Sequence, residues 1–218
     1  MRWHKDDQSP AVLAELAALR AKSPEEFLER VYRMNYSRPH VGFKIMKGQF
    51  KGVFTSVLED RSIKKVVLFR RNILANYSSR LIASESGKYV LKRKDGGSEN
   101  SGRPEVTFDP DDFDRFARRY ARYYKRVITR IQDTRQELYV INYEEINDII
   151  FYRILLNYIG ADCSQVQADG KLLKQNPSDI LSRFSNRDVA EAFLREHNLL
   201  HWAYEGEVML ERTAVLIG

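Results

Sequence analysis

Apolar residues recur at helical spacing in several stretches of the chain. Ser9-Pro10 reads as an N-cap with proline at the first helical position, and AVLAELAALRAK continues as a helix. Ser23-Pro24-Glu25-Glu26 repeats the device, with Glu26 placed for a capping box ahead of EEFLERVYRM. Asn72 can cap a helix in which Ile73, Leu74, Tyr77, Leu81 and Ile82 form one apolar stripe. Asp109-Pro110 opens a long helix to about Ile131. Its core face carries Phe113, Phe116, Ala117, Tyr120, Tyr124, Val127, Ile128 and Ile131.

Three short runs read instead as strands. Val41 to Met46 (VGFKIM) is one, and ELYVIN over Glu137 to Asn142 is another. KKVVLF, Lys64 to Phe69, is continuous in the way of a strand buried on both faces of a parallel sheet. Tyr143-Glu144-Glu145 follows ELYVIN, and a helix then runs to about Ile159 with Gly160 as its stop. Short helices are expected over Pro177 to Phe184, Arg187 to His197, and about Trp202. Strands alternating with helices, without an Asn-Gly hairpin step, predict an α/β fold with a short parallel sheet flanked by helices. Arg93 to Pro104 (RKDGGSENSGRP) is the most loop-like segment of what reads as a single domain over residues 1–218.

Composition narrows the class. The 218 residues are 43% apolar and 30% charged, too apolar for disorder and too charged for a membrane protein. No run of about 18 apolar residues occurs. MRWHKDDQSP carries acids where a signal peptide needs an apolar stretch, so a cytoplasmic location is expected. The single Cys163 excludes an internal disulfide. A net charge of +6 favours anionic partners only if the cations cluster. They do so on the long helix, where Arg115, Arg118, Arg119, Arg122, Lys125, Arg126 and Arg130 lie opposite the core stripe. That face reads either as solvated or as a surface for nucleic acid or an acidic polysaccharide. Metal chemistry is not expected: His4, His40, His197 and His201 show no ligand spacing, and one cysteine makes no zinc signature. Nor is there a Gly-x-Ser-x-Gly elbow.

The most informative stretch is KVVLFRRNILANYSSRLIA, Lys65 to Ala83. A strand ends in Arg70-Arg71, a helix starts at Asn72, and Ser78-Ser79 stand two turns in. Asn72 and Ser79, seven residues apart, share a helix face. An anion beside that turn could take a guanidinium fork from Arg71 and a hydroxyl from Ser79. Ligands of open α/β sheets bind at this carboxyl end of a strand. The alternative is an arginine paired with a carboxylate and a serine that is merely helical.

Arg-Asn after a strand, with a serine eight residues past the arginine, resembles the 3′-phosphate section of sulfotransferases that use 3′-phosphoadenosine 5′-phosphosulfate (PAPS). SPEEFLERVY with VGFKIMKGQF, ELYVINYEEI with ILLNYIGAD, and KQNPSDILSRFSNRDVAEAFL resemble bacterial carbohydrate sulfotransferases of the trehalose and nodulation-factor type, in order and spacing. The likeness covers about residues 3 to 205. It implies a P-loop-nucleotide-hydrolase-like fold and transfer of a sulfuryl group from PAPS to a hydroxyl of a carbohydrate or glycolipid. Arg71 and Ser79 would hold the 3′-phosphate, and Lys44 would stand near the sulfuryl group. Met46 stands where cytosolic members carry a base histidine, which leaves His4, Asp6 and Asp7 as candidates for the base. The family's phosphosulfate loop, of the Ser-Gly-Thr kind, has no counterpart here, so an amino-terminally shortened member with an open sheet edge, prone to dimerise, is expected. The alternatives are an inactive relative serving as a binding module and a basic nucleic-acid-binding protein.

Overall fold

The computed structural model describes residues 9–34, 39–49, 52–87, 104–146, 149–164 and 176–205. The chain divides into two compact units, residues 1–64 with 134–136, and residues 65–133 with 137–218. The Arg93–Pro104 segment lies outside the described residues except for Pro104.

In the first unit, helices α1 (Pro10–Lys22) and α2 (Pro24–Arg33) follow the two Ser-Pro steps. The Ser9 hydroxyl accepts from Val12 N at 3.3 Å, as an N-cap should. The capping box at Ser23 does not form. Ser23 N instead donates to Leu19 O at 2.8 Å, so this residue closes α1 rather than capping α2 with its side chain. Leu16, Leu28, Val31 and Val53 are buried, and Arg30 bridges α2 to Glu15 of α1 at 2.8 Å. The expected strand at Val41–Met46 is also absent: the segment alternates half-buried and exposed positions as a strand would, but carries no ladder. Alternation alone cannot make a strand, because its amides and carbonyls need a neighbour to pair with. A short helix that the hydrophobic pattern does not announce, α3 (Phe54–Glu59), follows.

The second unit contains the sheet. Strands β1 (Lys65–Phe69) and β2 (Leu138–Asn142) pair in parallel, with Val67 opposite Val140. Among the described residues the fold class is therefore α/β, with a two-stranded parallel sheet and helices. The strand read as buried on both faces is covered on one only, since Val66 and Leu68 are 41% and 47% exposed. Helix α4 (Ile73–Ser86) follows β1 and buries the stripe of Ile73, Leu74, Tyr77 and Ile82. Helix α5 (Pro110–Asp133) returns the chain to β2. Its tyrosines meet the end of β1: Tyr120 Oη accepts from Arg70 N at 2.8 Å, and Tyr124 Oη donates to Leu68 O at 3.0 Å. Helix α6 (Ile149–Ile159) stops at Gly160, whose φ of +77° is a left-handed conformation that glycine adopts without a Cβ clash. Tyr158 of α6 donates to Glu137 O at 3.1 Å and accepts from Lys65 N at 3.2 Å, which ties this helix to the start of both strands. A 3₁₀ turn at Leu181–Arg183 precedes α7 (Arg187–Glu196), and another at Leu200–Trp202 follows it.

Aromatic rings dominate the core of this unit. Tyr77 lies 5.3 Å from Phe113 and 5.4 Å from Phe116 between ring centroids, and Phe108 lies 5.4 Å from Phe184. The Tyr77 hydroxyl reaches Asp112 at 3.1 Å. Burial, and then the charge of Asp112, push the Tyr77 pKa up to about 12. Burial raises Tyr120 and Tyr124 in the same direction. A raised folded-state pKa stabilises the fold fully below the ordinary tyrosine value and is lost as pH rises through the folded value. Stability measured by urea titration is therefore expected to fall steadily from about pH 10 to about pH 12 as the unfolded chain ionises first. A flat profile over that window would contradict the burial of these hydroxyls.

Candidate functional site

The site begins at the carboxyl end of β1, where the chain passes through Arg70 and Arg71 into α4. Asn72 makes the turn. Its Oδ1 accepts from Ala75 N at 2.9 Å, the cap read from sequence, and its Nδ2 donates to Trp202 O and Tyr204 O at 3.0 and 3.2 Å. One buried amide thus starts α4 and fastens the segment after α7 against it. That segment is also held by backbone: Ile180 N donates to Ala203 O and Glu205 N to Ser178 O, both at 2.8 Å.

The two arginines go different ways. Arg71 Nη2 donates to Glu145 Oε1 at 2.9 Å, and Arg71 N to Glu144 Oε2 at 3.4 Å. Both acids belong to the Tyr-Glu-Glu turn after β2. Asn72 N also donates to Glu144, at 3.3 Å, and Asn142 Nδ2 holds Glu145 at 2.7 Å. Arg70 turns towards α4 instead. Its Nη1 donates to Ala75 O at 3.3 Å and to Ser79 Oγ at 3.4 Å, and its Nη2 donates to Glu205. The Tyr143 ring lies under its guanidinium at 4.5 Å. Ser79 is therefore joined to Arg70, the neighbour of the arginine singled out by spacing, and Asn176 Nδ2 also donates to it at 3.1 Å.

Arg183 completes the cluster, 3% exposed. Its Nη1 donates to Ser78 Oγ at 3.0 Å, its Nε to Pro177 O at 3.1 Å, and its Nη2 to Glu205 Oε1 at 2.8 Å. One carboxylate oxygen thus serves two guanidiniums. Among the described residues the buried Nε atoms of Arg70 and Arg71 have no hydrogen-bond partner. Arg70, joined to Ser79 at the strand end, keeps an unused guanidinium N–H that suits an anion with several acceptor oxygens.

Arg183, Glu205 and Asn176 are functional candidates that sequence reading missed. A serine on a capped helix after Arg-Arg was visible, but nothing marked Asn176, 97 positions away, as its companion. Lys44 is exposed and belongs to the first unit, whereas Arg71 and Ser79 belong to the second. His4, Asp6 and Asp7 lie outside the described residues. The cations of α5 from Arg115 to Arg130 are exposed, with Arg115 and Arg118 paired to Asp112 and Asp114. His197 stacks on Phe193 at 4.0 Å. Among the described residues no group of three His, Cys, Asp or Glu side chains is arranged to hold a metal ion, and no helix is long and apolar enough to cross a membrane. No family model, curated protein or solved structure matches the chain.

Proposed function

We propose that the chain is a sulfotransferase-like protein whose second unit holds the 3′-phosphate of PAPS, in a fold of the P-loop-nucleotide-hydrolase-like kind. The reaction it would serve moves a sulfuryl group to a hydroxyl of a carbohydrate or glycolipid. The observation that carries this reading is the pairing of Arg70 with Ser79, beside Arg71, where a parallel strand gives way to an asparagine-capped helix. The unused buried guanidinium N–H groups fit a phosphate, which offers three acceptor oxygens and a charge of about −1.5 to −2. In the transfer, the acceptor oxygen bonds to sulfur as the bond from sulfur to the bridging oxygen breaks. Adenosine 3′,5′-bisphosphate leaves, and the hydroxyl proton passes to a base.

A second reading has its own support. Carboxylates already face both arginines, Glu145 on Arg71 and Glu205 on Arg70, which opposes a bound phosphate and suits a catalytically inactive relative serving as a binding module. Turnover of labelled PAPS against a panel of sugars separates the two.

The first test is calorimetry with adenosine 3′,5′-bisphosphate. Removing one charge-assisted contact of about 1.5–3 kcal/mol by Arg71→Ala should weaken this ligand roughly ten- to hundredfold. Adenosine 5′-monophosphate should bind the variant and the parent alike. Equal losses for both nucleotides would remove the 3′-phosphate from the assignment.

A further inference from the structure

The positive surplus of the chain is gathered on one face of α5. Between Arg115 and Arg130 this helix carries six arginines and Lys125, all exposed, and no acid. Taking these seven from the 36 Lys and Arg leaves 29 against 30 Asp and Glu, so the rest of the chain is close to neutral. At 3.6 residues per turn the seven span about 140° of the helix circumference and about 22 Å of its length. Two tyrosines on the opposite side fix the direction in which they point. Tyr120 Oη accepts from Arg70 N and Tyr124 Oη donates to Leu68 O, while Phe113, Phe116, Val127 and Ile131 are buried on that side.

A face that meets only water usually alternates the sign of its charges. This one does not. Arg115 and Arg119, Arg118 and Arg122, Arg122 and Arg126, and Arg126 and Arg130 stand four residues apart with like charges, which destabilises a helix. Arg115 and Arg118 pair with Asp112 and Asp114 near the start of α5, but exposed pairs of this kind hold weakly. Beyond Asp114 the helix has no acid until Asp133. A bound polyanion would relieve the repulsion that α5 itself leaves unanswered.

Three features select the polyanion. Six of the seven cations are arginines, whose planar fork matches the oxygens of a phosphate. The tyrosines among them are engaged: Tyr120 and Tyr124 hold β1, and Tyr123 packs on Tyr124 with ring centroids 5.2 Å apart. The bases of a single strand therefore find no stacking platform on this face. The third feature is shape. A helix with its side chains is about 10–12 Å across, and the major groove of B-DNA is about 12 Å wide. Arg115, Arg122 and Arg126 form the crest of the stripe. Arg118 and Lys125 lie on one flank and Arg119 and Arg130 on the other, placed for the phosphates on either side of a groove. We propose that this face of α5 binds the phosphate backbone of duplex DNA without reading its sequence. The inference is independent of the nucleotide reading, whose residues Arg71 and Ser79 belong to the turn into α4 and to α4 itself.

A labelled DNA duplex of arbitrary sequence, followed by fluorescence anisotropy across a salt series, tests it. About five phosphate contacts would make the affinity fall roughly 500-fold between 50 and 200 mM salt. Arg119→Gln, Arg122→Gln and Arg126→Gln together should reduce that fall to about tenfold and weaken binding in low salt. This triple variant should melt no lower than the parent, since it removes like-charge pairs and glutamine keeps the helix. Arg20→Gln, Arg33→Gln and Arg61→Gln together remove the same charge from exposed positions outside α5 and should keep the parent's salt dependence. Where the α5 variant melts below the parent, Arg122→Gln alone is read instead, by a slope of log affinity against log salt shallower by about one. No duplex binding in low salt, or equal losses in the two triple variants, would overturn the proposal. So would tighter binding of single-stranded DNA than of the duplex. Binding of heparin or of phosphatidylserine vesicles by a chain that leaves the duplex free would give the face to a polysaccharide or a membrane surface and overturn it as well.

Discussion

Arg183→Ala is expected to lower stability by about 3–5 kcal/mol, the range for removing one partner from a buried ion pair. The guanidinium is almost wholly buried and makes contacts that no neighbour can replace: Pro177 O, Ser78 Oγ and Glu205. Truncation leaves these acceptors facing a void, and a buried acceptor without a donor costs about 1–3 kcal/mol. Arg70 remains on Glu205, so the carboxylate is not stranded and the loss should fall at the lower end. Urea unfolding followed by tryptophan fluorescence reads it directly. A loss under about 1 kcal/mol would mean that Arg183 is solvated and that the Glu205 cluster is not a buried unit.

Phe113→Ala should cost as much by a different route, about 3–5 kcal/mol through lost burial and the cavity left behind. Phe113 is 1% exposed, and its ring meets Tyr77, Phe108, Phe193 and Trp202 at centroid distances of 5.3, 5.6, 5.6 and 6.3 Å. Those partners come from α4, from the segment before α5, from α7 and from the turn after it. Such a site cannot collapse around an alanine without moving several elements together. Val66→Thr on the uncovered face of β1 is the matched comparison, expected to stay within about 0.5 kcal/mol of the parent. A large loss there would show that this face is covered in solution.

The helices were legible because their signals are local. Ser9 and Asn72 each cap with a side-chain oxygen bonded three residues on, and the stripes of α4 and α5 repeat every three or four positions. The two apolar runs that became β1 and β2 were legible for their β-branched character, and the helices between them made parallel pairing the expected outcome. The same logic misled at Val41–Met46, where the period of two was present without a partner, and at Ser23, where the C-terminus of α1 claimed the backbone that the capping box needed.

The sequence by itself determined where α1, α2, α4 and α5 start, the buried stripes of α4 and α5, and that an Arg-Arg…Ser step follows a strand. Which arginine meets Ser79 was decided only by tertiary structure. Glu145 draws Arg71 towards the turn after β2, and Glu205, 135 positions along the chain, draws Arg70 across α4 together with Arg183. Caps and helical stripes are set by bonds among near neighbours and so can be read along the chain. Ion pairs between distant residues depend on how the elements pack, and the burial that makes them strong exists only once the chain has folded.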